Sequence, residues 1–135
     1  MSNFDAGSVF LAQRDGEQRP HWRFLISPKS CCEMMVAVNA TSWHQHLPDC
    51  AIRDGACFMP AGIHDVIEHD SCLLYAMCAP PWKLKDLERG LTAGIIRLAR
   101  PLSPSLYKMA VDGFRRSKFV AEEIKLLLIS QGVLR

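Results

Sequence analysis

The first half of the chain consists of short apolar runs separated by turn-forming residues. Runs of this kind, rich in β-branched and aromatic residues, are typical of strands. Pro28 ends one of them, because proline cannot donate a hydrogen bond to a neighbouring strand. The predicted strands are 7–13, 21–28, 33–41, 63–69 and 71–78, and the run at 56–62 is ambiguous. Closely spaced short strands predict a small barrel or a strongly bent sheet.

After the sequence APPW at 79–82, apolar residues recur every three or four positions, as they do on one face of a helix. Ser103 is a capping residue followed by Pro104 at the first helical position, which predicts a helix start. Gly132 is the predicted end of the last helix. The predicted helices are 84–99, 103–117 and 120–132.

Composition is that of a globular protein, with 49% hydrophobic and 22% charged residues among 135. We expect one α+β domain over 1–135, with strands within 5–78 and a helical C-terminal part over 82–132. The net charge of +2 does not indicate nucleic-acid binding by itself, so any anion site must be local. No apolar run is long enough to span a membrane, and no secretion signal is recognisable, which predicts a cytoplasmic protein.

Six cysteines are present, and no two of them form a C-x-x-C pair. In a chain without a secretion signal, cysteines in apolar surroundings are expected to be buried and reduced. A sharper possibility is metal. His44 and His46 would share one face of an extended segment, and Cys50 or Cys57 could complete a tetrahedral zinc site. The spacing matches no standard zinc pattern, and a solvated loop explains these histidines equally well.

A second possibility is RNA cleavage without metal. The ribose 2′-hydroxyl attacks the adjacent phosphate when a base removes its proton, an acid protonates the leaving oxygen, and donors stabilise the charged transition state. Histidine suits the proton transfers, and arginine binds phosphate. Such groups stand at predicted strand ends: Arg19 and His21 before the second strand, Thr41 and Ser42 after the third, and His64 near a later strand. Each also has an ordinary structural explanation as a turn, cap or surface residue.

The order of several short motifs resembles the MazF/PemK toxin superfamily, and within it a group of uncharacterised bacterial members. The likeness covers most of the chain, and it rests on the order of the motifs rather than on any single one. They are Arg19-Pro20, His21-Trp22, FLISP at 24–28, Thr41-Ser42-Trp43, Gly62-Ile63-His64, His69-Asp70-Ser71 with Tyr75, and Pro101-Leu102-Ser103-Pro104.

The resemblance implies a small SH3-like β-barrel at 5–78 with C-terminal helices, commonly a homodimer. It also implies a toxin that cleaves RNA and is neutralised by a small antitoxin protein. The family's catalytic threonine corresponds to Thr41, with Ser42 beside it. The family's catalytic arginine corresponds to Arg19 if the loop carries an insertion, and otherwise His21 replaces it.

We therefore predict a toxin-like, metal-independent endoribonuclease that needs no cofactor and does not associate with membranes. His21 is the expected acid or base, Arg19 the phosphate-binding cation, and Thr41 and Ser42 the contacts to phosphate or 2′-hydroxyl. The further substrate-binding candidates are Trp43, His44 and His64. Two alternatives stay open: a non-catalytic SH3-like module that binds protein or nucleic acid, and a structural zinc-binding protein.

Overall fold

A six-stranded antiparallel sheet forms the centre of the structure, a computed structural model that describes residues 3–29, 33–43 and 55–135. The strands are β1 (Val9–Ala12), β2 (His21–Leu25), β3 (Met34–Met35), β4 (Ala37–Ser42), β5 (Phe58–Met59), β6 (Ser71–Leu73), β7 (Trp82–Lys83) and β8 (Arg97–Ala99). The helices are α1 (Leu84–Thr92), α2 (Pro104–Arg116) and α3 (Glu122–Ser130), with a 3-10 turn at Tyr75–Met77. The main sheet has the order β5-β6-β4-β2-β1-β8, and β3 pairs with β7 in a separate ribbon. The α+β class predicted from the sequence is therefore confirmed.

Both faces of the sheet are apolar, because alternate strand residues point in opposite directions and each set meets its own helices. One face packs against α2 and α3, and the other packs against α1. The first core contains Val9, Phe24, Val38, Leu73, Leu106, Ala110, Phe114, Ile124 and Leu128. The second contains Phe10, Ala12, Leu25, Ala37, Leu87 and Ile96. Burying each of the larger side chains contributes about 1.5–3 kcal/mol relative to exposure, so the two layers hold the sheet in place.

Helix α2 begins as the sequence predicts. The Ser103 hydroxyl accepts a hydrogen bond from the Leu106 N–H at 3.2 Å, and Pro104 occupies the first turn. Gly113 lies directly against Tyr75, whose hydroxyl donates to the Ala110 carbonyl at 2.7 Å, and a side chain at position 113 would overlap that ring. The glycine thus lets the helix approach the 3-10 turn closely enough to bury Tyr75.

The strands of the described residues do not close into the barrel expected at 5–78. The sheet is open, with β5 and β8 at its edges. The C-terminal part is also not only helical, since β7 pairs with β3 and β8 pairs with β1. The expected division into a strand-forming half and a helical half therefore does not hold, because strands from the C-terminal part pair with strands from the first half.

Four segment predictions were wrong, wholly or in part. The single strand predicted over 33–41 is divided between β3 in the ribbon and β4 in the main sheet. The segment 63–69 forms turns rather than a strand, and only the start of 71–78 is extended. The helix predicted over 84–99 ends at Thr92, Gly94 adopts a φ of 76°, and the chain returns as β8. A Cβ at Gly90 would lie 2.6 Å from the Ile96 side chain, so this glycine provides the space in which the returning segment packs. Apolar residues keep the helical spacing through the turn after Thr92. The sequence therefore predicted a single helix where the structure has a helix, α1, followed by a strand, β8.

None of the helices in the described residues is long and apolar enough to cross a membrane. The cysteines in this part of the chain, Cys57, Cys72 and Cys78, are all buried. Burial raises the pKa of the Cys57 thiol, and it raises the pKa of the Cys78 thiol to about 12. Both therefore stay protonated near neutral pH and serve as small apolar core residues.

Candidate functional site

A cleft of about 560 Å³ opens beside the amino-terminal end of β2. Its walls come from the loop before β2, from the ends of β4 and β6, and from the turns that precede β6. The lining residues are Leu11, Arg19, Pro20, His21, Trp22, Ala40, Thr41, Ser42, Val66, Ile67, Glu68, His69 and Ser71.

The cleft lies at a fork in the sheet. The β2–β4 ladder runs from Leu25–Ala37 to Arg23–Asn39 and stops there. Beyond that point, β2 continues to pair with β1, and β4 continues to pair with β6 up to Ser42–Ser71. The two strand pairs diverge, and the space between them is the cleft.

The four residues predicted to be catalytic all line this cleft, although they come from two separate segments. Arg19 is exposed, and His21, Thr41 and Ser42 are each partly buried. Continuing the β2–β4 register past its last pair would set His21 opposite Thr41. The structure thus brings together a guanidinium, an imidazole and two hydroxyls, which are the groups that the predicted chemistry needs.

Side-chain alternation divides these groups between the two sides of the fork. His21 and Thr41 belong to the sheet face that carries Arg23 and Asn39, whereas Ser42 belongs to the other face. Ser42 is paired there with Ser71, whose hydroxyl donates to the His69 carbonyl at 2.7 Å. A substrate in the cleft would therefore meet the His21 imidazole and the Thr41 hydroxyl on one side and the Ser42 and Ser71 hydroxyls on the other.

The electrostatic surroundings favour neutral His21. Partial burial lowers the pKa of its imidazole, and the nearby cations Arg23 and Arg19 lower it further, against the opposing effect of Glu17. A neutral imidazole can accept a proton, so His21 has the protonation state that a general base requires near neutral pH.

Two lining residues with ionisable side chains, Glu68 and His69, were not among the site candidates chosen from the sequence. The signal that was available is the motif His69-Asp70-Ser71, which places His69 between the predicted strands 63–69 and 71–78, at the end of the first. The Trp43 N–H donates to the Asp70 carbonyl at 2.9 Å, which holds the segment containing His69 beside the end of β4. The pairing of β4 with β6 cannot be predicted from the sequence, and it brings the segment with His69 to the cleft.

His64, predicted to contact substrate, is buried and is not among the residues that line the cleft. Its side chain is 2% exposed and packs beside Phe24. The Val66 N–H donates to Nδ1 at 3.2 Å, so Nε2 carries the proton and donates to the Arg100 carbonyl at 2.8 Å. Both ring nitrogens are therefore occupied, and His64 holds a turn in place instead of lining the cleft.

Trp43 lies next to the cleft in an adjoining depression. His44 and His46, together with Cys50 of the zinc hypothesis, lie outside the described residues. Cys57, the other sulfur candidate, is 3% exposed in the core. Within 3–29, 33–43 and 55–135, no group of three or more histidine, cysteine and acidic side chains is arranged to hold a metal ion.

Comparison with known proteins gives no assignment. No family model matches the chain, and searches of curated proteins and of solved structures return no match.

Proposed function

We propose that the protein is a toxin-like, metal-independent endoribonuclease that cleaves RNA through attack by the 2′-hydroxyl. One observation carries the proposal: Arg19, His21, Thr41 and Ser42, chosen as acid–base and phosphate-binding residues, line one cleft that also contains His69. A pair of imidazoles with a cation and hydroxyls is a set of groups suited to moving two protons at a phosphodiester.

In the first half of the reaction, neutral His21 takes the proton from the 2′-hydroxyl. The 2′-oxygen then attacks the phosphorus, and the new O–P bond forms as the bond from phosphorus to the 5′-oxygen breaks. The lowered pKa of His21 keeps this imidazole in the accepting form. Proton transfer of this kind typically contributes a factor of about 10²–10⁴ in rate.

The leaving 5′-oxygen needs a proton, and His69 is the group that we assign to supply it. Arg19 balances the charge that develops on the phosphate oxygens, and the Thr41 and Ser42 hydroxyls donate to the same oxygens. The products are a 2′,3′-cyclic phosphate and a 5′-hydroxyl. DNA lacks the attacking 2′-hydroxyl, so it is not cleaved by this route.

The resemblance to MazF/PemK toxins also suggests where the chain acts and with which partners. On this basis the chain acts in the cytoplasm, forms a homodimer, and is neutralised by a small antitoxin protein. A distant relationship between its open sheet and the SH3-like barrel belongs to the same proposal.

The test is incubation of the purified chain with mixed-sequence RNA in EDTA, followed by analysis of the fragment ends. We expect cyclic-phosphate and 5′-hydroxyl ends, with the rate reduced about 100-fold by His21→Ala and by Arg19→Ala, the scale of losing one such group. Arg97→Ala is the matched control, since Arg97 is an exposed arginine on β8 that does not line the cleft. RNA that stays intact, together with normal growth of cells expressing the chain, would exclude the nuclease and leave the non-catalytic binding module.

A further inference from the structure

A second depression of about 610 Å³ adjoins the cleft. The two share Ser42, Glu68 and His69 as lining residues, so a bound chain could pass from one to the other. The second depression adds Trp43, Ala61 and Asp70. Whatever occupies it therefore lies directly beside the proposed reaction centre.

The Trp43 indole forms one wall. Its ring meets Phe58 edge to face, with centroids 6.2 Å apart and an interplanar angle of 84°. A Cβ at Gly55 would lie 3.5 Å from the same indole, an ordinary van der Waals distance, so the Gly55 backbone lies near the ring. The ring packs against Phe58 and is still only partly buried, which leaves aromatic surface for a flat ligand.

Asp70 lines the same depression as this ring and is exposed to solvent. Its Oδ1 accepts a hydrogen bond from the Ala61 N–H at 3.0 Å, and its backbone carbonyl accepts from the Trp43 N–H at 2.9 Å. The carboxylate is thus positioned before any ligand arrives. A fixed acceptor discriminates between ligands better than a mobile one, because less ordering is needed on binding.

The charges differ between the two ends of the combined groove. The first cleft carries the Arg19 cation, and the second depression carries the Asp70 carboxylate, with Glu68 between them. Phosphate oxygens are attracted to the first end and repelled from the second. The carboxylate end therefore suits an uncharged, flat group with N–H donors rather than the sugar–phosphate backbone.

We propose that the second depression binds the base of a nucleotide next to the cleaved phosphate and selects guanine. This inference rests on the nuclease function proposed for the adjoining cleft. The base stacks on Trp43 and donates to the Asp70 carboxylate. Single-stranded RNA is commonly recognised in this way, by stacking on an aromatic side chain and by hydrogen bonds to the Watson–Crick edge.

Guanine is favoured because of its donor pattern. Its Watson–Crick edge presents the adjacent N1–H and N2–H₂ groups, which match the two oxygens of one carboxylate. Adenine and cytosine place an acceptor beside their amino group, and uracil places an acceptor on each side of its single N–H. Since an ionised carboxylate only accepts, each of these three bases meets it with at least one repelled lone pair.

The first measurement is the base composition around the cut sites in a random RNA pool. We expect guanine to be enriched about tenfold at one position flanking the cut, the scale of one good two-point contact. Asp70→Asn keeps an oxygen for the Ala61 N–H and loses the enrichment. Asp65→Asn, the same change on the same loop outside both depressions, keeps it. Cuts without guanine enrichment, or enrichment that survives Asp70→Asn, would overturn the subsite while leaving the nuclease intact.

The second measurement does not depend on cleavage. Fluorescence anisotropy compares the full chain bound to a 2′-O-methyl uridine hexanucleotide with the same oligonucleotide carrying one guanine. We expect the guanine to tighten binding about tenfold, and Asp70→Asn or Trp43→Ala to remove the difference. Equal affinities for the two oligonucleotides would refute guanine selection. A guanine preference without any RNA cleavage would support the subsite and refute the nuclease.

Discussion

Arg19 and Arg23 stand four residues apart on one segment and have opposite surroundings. Arg23 is 2% exposed, forms an ion pair with Glu17, and donates from Nε to the Ala12 carbonyl at 3.3 Å. Its guanidinium also lies 5.2 Å from the centre of the Trp82 ring. Arg19 is exposed and lines the cleft.

The difference shows how burial decides what a charge can do. A buried guanidinium is stable only when it is paired and hydrogen-bonded, so Arg23 is fully used in holding β2 to the Arg14–Glu17 turn. The cation at Arg19 meets solvent and remains accessible to an anion. The two arginines can therefore be distinguished by separate measurements of stability and of activity.

The largest expected effect is on stability at position 23. Arg23→Ala breaks the ion pair with Glu17, whose carboxylate keeps only the Arg14 N–H of these two donors, and opens space beside Trp82. We therefore expect the free energy of unfolding to fall by about 3–5 kcal/mol. Arg19→Ala should change it by less than about 0.5 kcal/mol, as is usual for an exposed residue. Urea unfolding of both variants measures these changes in the free energy of unfolding. Similar losses at the two positions would contradict the structural contrast between them.

An intermediate effect is expected from the two histidines of the segment before β6. His64→Ala removes a buried ring and leaves the Arg100 carbonyl and the Val66 N–H without their partner, which should destabilise the protein by about 2–3 kcal/mol. His69→Ala should leave stability nearly unchanged and slow RNA cleavage about 100-fold. Thermal unfolding and cleavage rates on the same samples separate the two. A stable His64→Ala protein would show that this ring does not hold the turn.

The smallest effect concerns pH and the Glu17 partner of Arg23. Burial acts to raise the pKa of Glu17, but hydrogen bonds from the Arg14 N–H and the Arg23 guanidinium outweigh it, and the pKa is lowered below its ordinary value of 4.5. A lowered carboxyl pKa contributes stability that is present above pH 4.5 and is lost as the pH falls through the folded-state pKa.

Glu17→Gln should therefore weaken the loss of stability in acid, measured by urea unfolding between neutral pH and about pH 3. The loss is not abolished, because hydrogen bonds from Lys29 and Ala6 also lower the pKa of Asp5. Glu122→Gln, an exposed glutamate in the first turn of α3, is the control and should keep the acid dependence of the unchanged protein. An unchanged acid slope in Glu17→Gln would show that this ion pair does not stabilise the fold.

Local signals in the sequence located elements that depend on neighbouring residues alone. Ser103 and Pro104 start α2 within one residue of the prediction, and Gly132 follows α3 with a φ of 76°. The strands over 7–13 and 21–28 were found for the same reason, because their apolar runs and breaks are contained within each segment. The segment 63–69 is a counterexample, because its apolar residues lie in turns that pack against the core. The spacing of apolar residues alone does not distinguish a strand from a buried turn.

Of the candidate site, the sequence could supply residue types and strand ends. It expected Arg19 and His21 before the second predicted strand and Thr41 and Ser42 after the third. In the structure Arg19 precedes β2, His21 begins it, and Thr41 and Ser42 end β4. The sequence could not show that His64 is buried and His69 exposed, because both are histidines and they are only five residues apart in the sequence. Burial separates them, and burial depends on what the rest of the chain packs against the turn.

The sequence by itself determined the α+β class, the start of α2, and the chemistry available at two strand ends, because these depend on residue type and on neighbours within one turn. Only the tertiary structure decided that the sheet stays open, that it forks after Arg23–Asn39, and that His69 joins the cleft. The physical reason is that strand pairing joins residues distant in sequence, and its register fixes which side chains meet. The same pairing sets Trp43 beside Asp70 and so creates the depression proposed to bind guanine.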